Sequence, residues 1–431
     1  MTSNKGLSPT FCAFPWMHLH AWPEGKAMLC CVAHGGENGG EVGDFSKNTF
    51  VEIMNNEKMK SIRLKMLTGE KPEQCTACWE NEDVHDRPSF RQTTLTSYAT
   101  EIPLLLEKTN PDGSITDPVM YYMDFRFSNL CNLGCKTCGS PLSSTLANWR
   151  ADKNELRFLK DKNVLSDRGT ITSFVYARPD FLDVDVFPYI KDVRGFYFAG
   201  GEPLMHTEHY EILKYLNENE MYDKSIIYST NMTTLKWKSI DFLEIWKNFN
   251  NIQFICSIDG YQEGLEYIRN KSKNDVVFGN LKKLIEFKMA NLDKNFSVSI
   301  CYTHSIYNAY YTREFFEYLD SLGLLDHFTG LDNIMLNYSF GDINSPSILP
   351  DFAKEELKQK RIADLESPVM QKVFSRFPPL RNDFNQIHEI LTHTPEFTFD
   401  KFIKHANRDP GNPIETSLPW LASVFERYKN Q

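Results

Sequence analysis

Cys131, Cys135 and Cys138 stand in one short run, Cys-Asn-Leu-Gly-Cys-Lys-Thr-Cys, directly after a strand-like segment, Val119 to Phe127. Three thiolates this close can hold three irons of a cubane cluster. Iron–sulfur clusters ordinarily take four cysteines, so a set of three leaves one iron open to a substrate or cofactor. An open metal position marks a reactive site rather than a structural one. The chain has 10 cysteines, and only Cys256 and Cys301 lie beyond residue 140. In a cytoplasmic chain, grouped cysteines point to metal or redox chemistry rather than to disulfide staples.

Something must hold that loop in place. Strand-like segments at Val119–Phe127, Gly195–Phe198, Ser225–Ser229, Ile252–Ser257, Phe296–Tyr302 and Ile334–Tyr338 alternate with amphipathic segments at Glu208–Asn219, Lys238–Asn248, Val276–Met289 and Ala309–Leu322. That alternation predicts parallel strands with right-handed crossovers. Six such units predict an α/β fold, a partial (β/α)6 TIM-like barrel smaller than the eight-unit form. Polar runs follow the carboxyl ends of successive strands: the cysteine loop, Gly200-Gly201-Glu202-Pro203, Ser229-Thr230-Asn231, and Ser257-Ile-Asp259-Gly260. Parallel barrels build active sites on that face.

Each run has a chemical reading and a plain structural one. Two glycines permit close backbone approach to a ligand and Pro203 rigidifies the exit, although a Gly-Gly turn before a helix is common. Exposed carbonyls and Glu202 would accept from an ammonium group. Ser229, Thr230, Asn231, Ser257 and Asp259 could bond ribose hydroxyls, or simply cap the helices that follow. Arg269 could clamp a carboxylate or sit solvated on the surface. Asp124 and Arg126 share one face of the first strand with Met120 and Tyr122. Charge on a buried strand needs a reason, either a pair near the cofactor or a structural ion pair. Cys301 alternates with Ser299 and Ser297, and reads as a hydrogen-atom donor or as a small buried residue.

The chain has 431 residues, 41% hydrophobic and 24% charged, which is globular composition with room for two or three domains. Its net charge of −10 argues against a nucleic-acid backbone as main ligand. No apolar run is long enough to span a membrane, and the N-terminus has no apolar signal core, so the expected location is the cytoplasm. The expected layout is a loop-rich cysteine module over 1–108, a barrel over 119–340 and a helical C-terminal extension over 341–431. One helix, about Phe50 to Leu67, is expected in the module, with turns at Gly35, Gly36, Gly39, Gly40 and Gly43.

The Cys-x3-Cys-x2-Cys loop, Gly-Gly-Glu-Pro, Ser-Thr-Asn and Ser-Ile-Asp-Gly, in that order after four successive strands, resemble the radical S-adenosylmethionine (radical SAM) enzymes. The resemblance implies that Cys131, Cys135 and Cys138 hold a 4Fe-4S cluster whose open iron is chelated by SAM. It implies that Gly200, Gly201, Glu202 and Pro203 bind the methionyl amine. Ser229, Asn231, Ser257 and Asp259 would contact ribose and carboxylate, with Arg269 a carboxylate partner. The aromatic residue usual before the third cysteine is here Thr137, so adenine stacking must come from elsewhere.

The N-terminal module carries Phe11-Cys12, Gly25-x4-Cys30-Cys31 and Cys75-x2-Cys78-Trp79. These look like the SPASM/twitch auxiliary-cluster modules of that family, placed ahead of the barrel. The resemblance implies a second 4Fe-4S cluster on Cys12, Cys30, Cys75 and Cys78, with Cys31 the alternative to Cys12. From these residues alone zinc is an equal candidate. The function expected is reductive cleavage of SAM, with electrons from flavodoxin or ferredoxin, and hydrogen abstraction from a small-molecule or nucleotide-type substrate. The runner-up is a peptide maturase. A reading from another class is a non-catalytic zinc-binding interaction protein.

Overall fold

The computed structural model describes residues 6–35, 39–84, 88–150, 164–166, 169–328, 332–339 and 341–430. Gly36, one of the expected turn glycines, and Phe340, the expected end of the barrel, lie outside these residues. The chain divides into two compact units, one of residues 1–130 and 151–227 and one of residues 131–150 and 228–431.

The first unit is built on β1 (His18–Ala21), β2 (Lys26–Met28), β3 (Glu41–Asp44), β4 (Tyr122–Phe125) and β5 (Gly195–Phe198). Strand β4 pairs in parallel with β5 on one side and with β1 on the other. β1, β2 and β3 continue as an antiparallel meander. The cysteine module is therefore no separate loop-rich appendage: its first strand is hydrogen-bonded to the barrel strand that precedes the cysteine loop. Gly25 closes the β1–β2 hairpin at φ +97°, where a Cβ would stand 2.7 Å from Asp44 Oδ1. Phe45, just after β3, packs its ring 5.2 Å from Phe125 and 5.5 Å from Phe181, so an aromatic core ties the meander to β4.

The expected helix over 50–67 is two helices, Phe50–Met54 and Glu57–Thr68. Asn56 breaks it by accepting from Met59 N as an N-cap, and Asn55 bonds both N–H and C=O of Ile115. Further helices in the module are Phe14–Met17, Thr76–Asp83, Phe90–Ser97 and Ile102–Glu107.

β6 (Ser225–Thr230) opens in the first unit and ends in the second. A short hairpin, β7 (Lys236–Trp237) and β8 (Ile240–Asp241), takes the start of the helix expected at Lys238. That helix runs only Phe242–Trp246, capped by Asp241. The second unit then lays β9 (Asn251–Ser257), β10 (Asn295–His304) and β11 (Ile334–Tyr338) in parallel. In chain order β4, β5, β6, β9, β10 and β11 alternate with helices, the order of a partial (β/α)6 barrel. Beyond them the C-terminal extension is helical, with Asp351–Leu365, Pro368–Arg376, Pro379–Ile390, Phe399–Ala406 and Pro419–Lys429. Its apolar faces close on Tyr267, Ile268, Ile306 and Tyr307.

Candidate functional site

The cysteine loop in the second unit is held from several sides. Cys131 N donates to Ser144 Oγ at 3.1 Å, and the Thr145 hydroxyl donates to Cys131 O at 2.9 Å. Gly134 N donates to Asn270 O and Lys136 N to Ile268 O. A Cβ on Gly134 would stand 2.2 Å from the Trp149 ring, so only glycine lets that indole lie on the loop. Lys136 Nζ reaches the carbonyls of Ala406 at 2.9 Å and Asp409 at 3.3 Å.

Burial pushes the Cys135 thiol up, and the neighbouring thiols Cys138 and Cys131 add to this. Cys138 is also raised by burial. A loop in which burial raises two of three thiols, and neighbouring thiols raise Cys135 further, is a poor place for free thiolates and a suitable one for thiolates bound to a cationic cluster. The donor set therefore fits the cluster implied for it.

The polar residues of the following strands gather around this loop. Asn231 Nδ2 lies 3.8 Å from Cys131 Sγ and donates to Asn132 Oδ1 at 3.0 Å. Asp259 Oδ2 pairs with Arg269 at 2.8 Å, and Asp259 Oδ1 accepts from Thr303 N at 2.9 Å. Burial works against the Arg269 charge, but Asp259, together with Cys135 and Cys301, outweighs it and holds the guanidinium pKa above its ordinary value. Arg269 is thus neither solvated nor free, because its partner is the candidate ribose residue itself. Both act electrostatically on Cys135. Ser257 is in register with Cys301 across the parallel pair. Asn337 Nδ2 stands 3.0 Å from Cys301 Sγ, and the thiol is raised by burial and by Asp259. Ser229 is half-buried on β6.

Gly200, Gly201, Glu202 and Pro203 lie in the first unit. Gly200 has φ +79°, and a Cβ there would fall 2.6 Å from Arg126 Cβ. Gly201 has φ +50°, and its Cβ would fall 2.4 Å from Leu130 O. The close approach expected of this pair is thus made to the protein's own chain. Leu130 O also accepts from Glu202 N at 2.8 Å. Glu202, 1% exposed, receives Leu204 N on its carboxylate. Asp124 is paired not with Arg126, as the sequence suggested, but with His20 at 2.9 Å. Parallel register sets His20 opposite Asp124. His20 carried no spacing signal in the sequence, because the strand that places it has only four residues.

The module's cysteines share one small cavity, lined by Cys12, Cys30, Cys75 and Cys78 together with Phe14, Leu29 and Phe90 among others. Cys31 is not among the lining residues; its thiol feels Asp124 and Arg126 as well as Cys78. Burial pushes Cys12 up to about 11 and raises Cys30 and Cys75 as well. Arg91 fixes the segments that carry them: it pairs with Glu82, donates to Phe11 O at 2.8 Å and lies over the Trp79 ring at 5.2 Å. Among the described residues no three Cys, His, Asp or Glu side chains converge as ligands of one ion would. A cubane binds each thiolate to a different iron and spreads them more widely than a single ion does. Four cysteines around one cavity match the number that a 4Fe-4S cluster takes.

Residues 125–319 match the family model for the Radical SAM superfamily, and residues 12–79 match SPASM, an iron-sulfur cluster-binding domain. No curated protein matches the chain. Among solved structures it is similar to Streptococcus suis SuiB bound to S-adenosylmethionine, at 13% identity over 71% of this chain and 63% of that chain, with a TM-score of 0.31. It is also similar to another structure of Streptococcus suis SuiB, at 15% identity over 72% of this chain and 63% of that one, TM-score 0.30. TYW1 with a lysine-pyruvate adduct bound is similar at 12% identity over 57% of this chain and 71% of that one, TM-score 0.26. The chain spans 63% of the length of SuiB. No helix among the described residues is long and apolar enough to cross a membrane. On its two family matches, the chain carries a radical SAM superfamily domain over residues 125–319 and an iron–sulfur cluster-binding SPASM domain ahead of it.

Proposed function

We propose that this protein cleaves SAM reductively and uses the resulting radical to take a hydrogen atom from a small-molecule or nucleotide-type substrate. The observation that carries the reading is the gathering of Asn231, Asp259 and Arg269 around the thiols of Cys131, Cys135 and Cys138. Those three cysteines would hold a 4Fe-4S cluster, and Cys12, Cys30, Cys75 and Cys78 a second. When bound, the open-iron cluster supplies the electron that splits SAM into methionine and a 5′-deoxyadenosyl radical.

The chain's own part is placement. Glu202 and the carbonyls of the Gly200–Pro203 turn accept from the methionyl ammonium. Ser229, Asn231, Ser257 and Asp259 orient ribose and carboxylate, with Arg269 fixing Asp259. The Asn231 amide near Cys131 Sγ stabilises charge on that sulfur. Cys301, held by Asn337, is the candidate to return a hydrogen atom. Residues 1–108, 119–340 and 341–431 act as auxiliary-cluster module, barrel and supporting extension. Flavodoxin or ferredoxin is the fitting electron donor, and the cytoplasm the fitting location. The module's match to an iron-sulfur domain favours iron over zinc there.

Cys135→Ala should abolish 5′-deoxyadenosine formation in dithionite-reduced protein supplied with SAM. Undiminished product from that variant would sink the assignment.

A further inference from the structure

Where β1 and β4 run side by side, polar groups gather that neither cysteine site uses. His20 and Asp124 are each 1% exposed and stand 2.9 Å apart. His20 Nδ1 faces Asp124 Oδ2, while His20 Nε2 and Asp124 Oδ1 are buried without partners. Burial tends to raise the Asp124 carboxyl; His20, Arg126 and His18 together outweigh this and hold it below its usual value.

Two residues on, Arg126 lays its guanidinium over the Trp22 ring at 4.9 Å. Its stem fills the space that Gly200 leaves by lacking a Cβ. Its Nε is buried and unpartnered. Asp124, whose charge it feels, is already paired with His20, and no other carboxylate is paired with Arg126 among the described residues.

A buried polar atom left without a partner destabilises the fold. Three such atoms, His20 Nε2, Asp124 Oδ1 and Arg126 Nε, lie on residues of the adjoining strands β1 and β4 and just beyond, and a bound polar group would satisfy them. A planar cation over an indole, its stem fixed and no carboxylate bound to it as an ion pair among the described residues, is a receptor for a carboxylate or phosphate.

We infer that Arg126, braced by Trp22 and Gly200, binds an oxyanion group of the substrate, and that the His20–Asp124 pair hydrogen-bonds the polar group next to it. The substrate class is a small molecule bearing a carboxylate or a phosphate. The word substrate rests on the radical reaction proposed above; the anion site does not. The methionyl carboxylate of SAM is the other source of the same chemistry.

Differential phenylglyoxal labelling of the anaerobic holo-protein separates these, with Arg126 modification read by mass spectrometry. The probes are inorganic phosphate and acetate, each compared with chloride at equal ionic strength, with and without saturating SAM. Arg126 is expected to react in chloride and to be protected several-fold, saturably, by millimolar phosphate or acetate. The more effective probe names the group. Saturating SAM is expected to leave Arg126 reactive and the protection intact. An Arg126 that is inert in chloride, or labelled equally under every anion, overturns the oxyanion site. Complete protection by SAM alone assigns Arg126 to the methionyl carboxylate and overturns the substrate claim. The first arm contains no SAM, so a failure of 5′-deoxyadenosine formation, measured separately, would sink the radical reading and leave this one standing.

Discussion

Gly201 shows how little freedom the motif leaves at one residue. Its backbone is left-handed, and the oxygen of Leu130 occupies the place of a Cβ. Alanine at positive φ costs about 1–2 kcal/mol before any overlap is counted. Gly201→Ala is therefore expected to lower stability by about 2 kcal/mol or more and to weaken SAM binding by about tenfold. Denaturant midpoints and equilibrium dialysis of SAM read the two effects. A second residue-scale expectation concerns the module. Cys12→Ala should reduce iron from about eight to about four per chain, whereas Cys31→Ala should leave the count unchanged. Equal iron loss from both variants would mean that the cavity does not mark the ligand set. Spacing marked the cysteines as metal or redox candidates, while leaving zinc and iron–sulfur equal in the N-terminal module. Which of Cys12 and Cys31 lines the cavity was not legible, since adjacent residues differ only in where the hairpin turns them. His20 was invisible for a related reason: its partner is 104 positions away and its register is set by backbone pairing.

At the scale of elements, the cysteine loop depends on the C-terminal helices of its own unit. Asp409 pairs with Arg150 at 2.6 Å, with the two side chains 3% and 6% exposed. The same turn presents its carbonyl to Lys136, between two of the loop cysteines. Breaking a buried pair by removing one partner leaves a stranded charge and costs about 3 kcal/mol or more. Asp409→Ala is expected to destabilise by that amount and to lower iron occupancy at the Cys131–Cys138 site, as read by anaerobic iron analysis against Asp400→Ala, an exposed position on a neighbouring helix. Unchanged stability in Asp409→Ala would show that the extension does not brace the loop. Long strands and helices were readable here: β5 and β11 fall on the residues the pattern marked, and the helices near 207–218 and 274–289 shift by only a residue or two. β1, β2 and β3 were not, because three or four residues are too few to show alternation. The break at Asn55-Asn56 was missed because a continuous apolar pattern hides a cap.

At the scale of the molecule, buried histidines make the fold acid-sensitive. Burial lowers His18 and His206 to about 4 and His209 to about 3. All three are neutral in the folded state, while their unfolded counterparts take a proton near 6.5. Their contribution is complete above that pH and is lost as pH falls from there toward 4. Each removes on the order of 1 kcal/mol per pH unit in that window. The urea midpoint should therefore fall between pH 7.5 and pH 5.5, and His206→Gln should flatten the fall. A midpoint indifferent to pH over that range would contradict the burial of these rings.

The parallel seam between β1 and β4 also bears on how such a protein can be rearranged. A barrel expressed without its N-terminal cysteines would lose a neighbour along β4 and bare a row of unsatisfied amides and carbonyls. It would also strand Asp124 in an apolar interior. The cluster-bearing segment is thus no plug-in cassette: grafting it onto another barrel means transplanting a sheet edge, and deleting it invites aggregation.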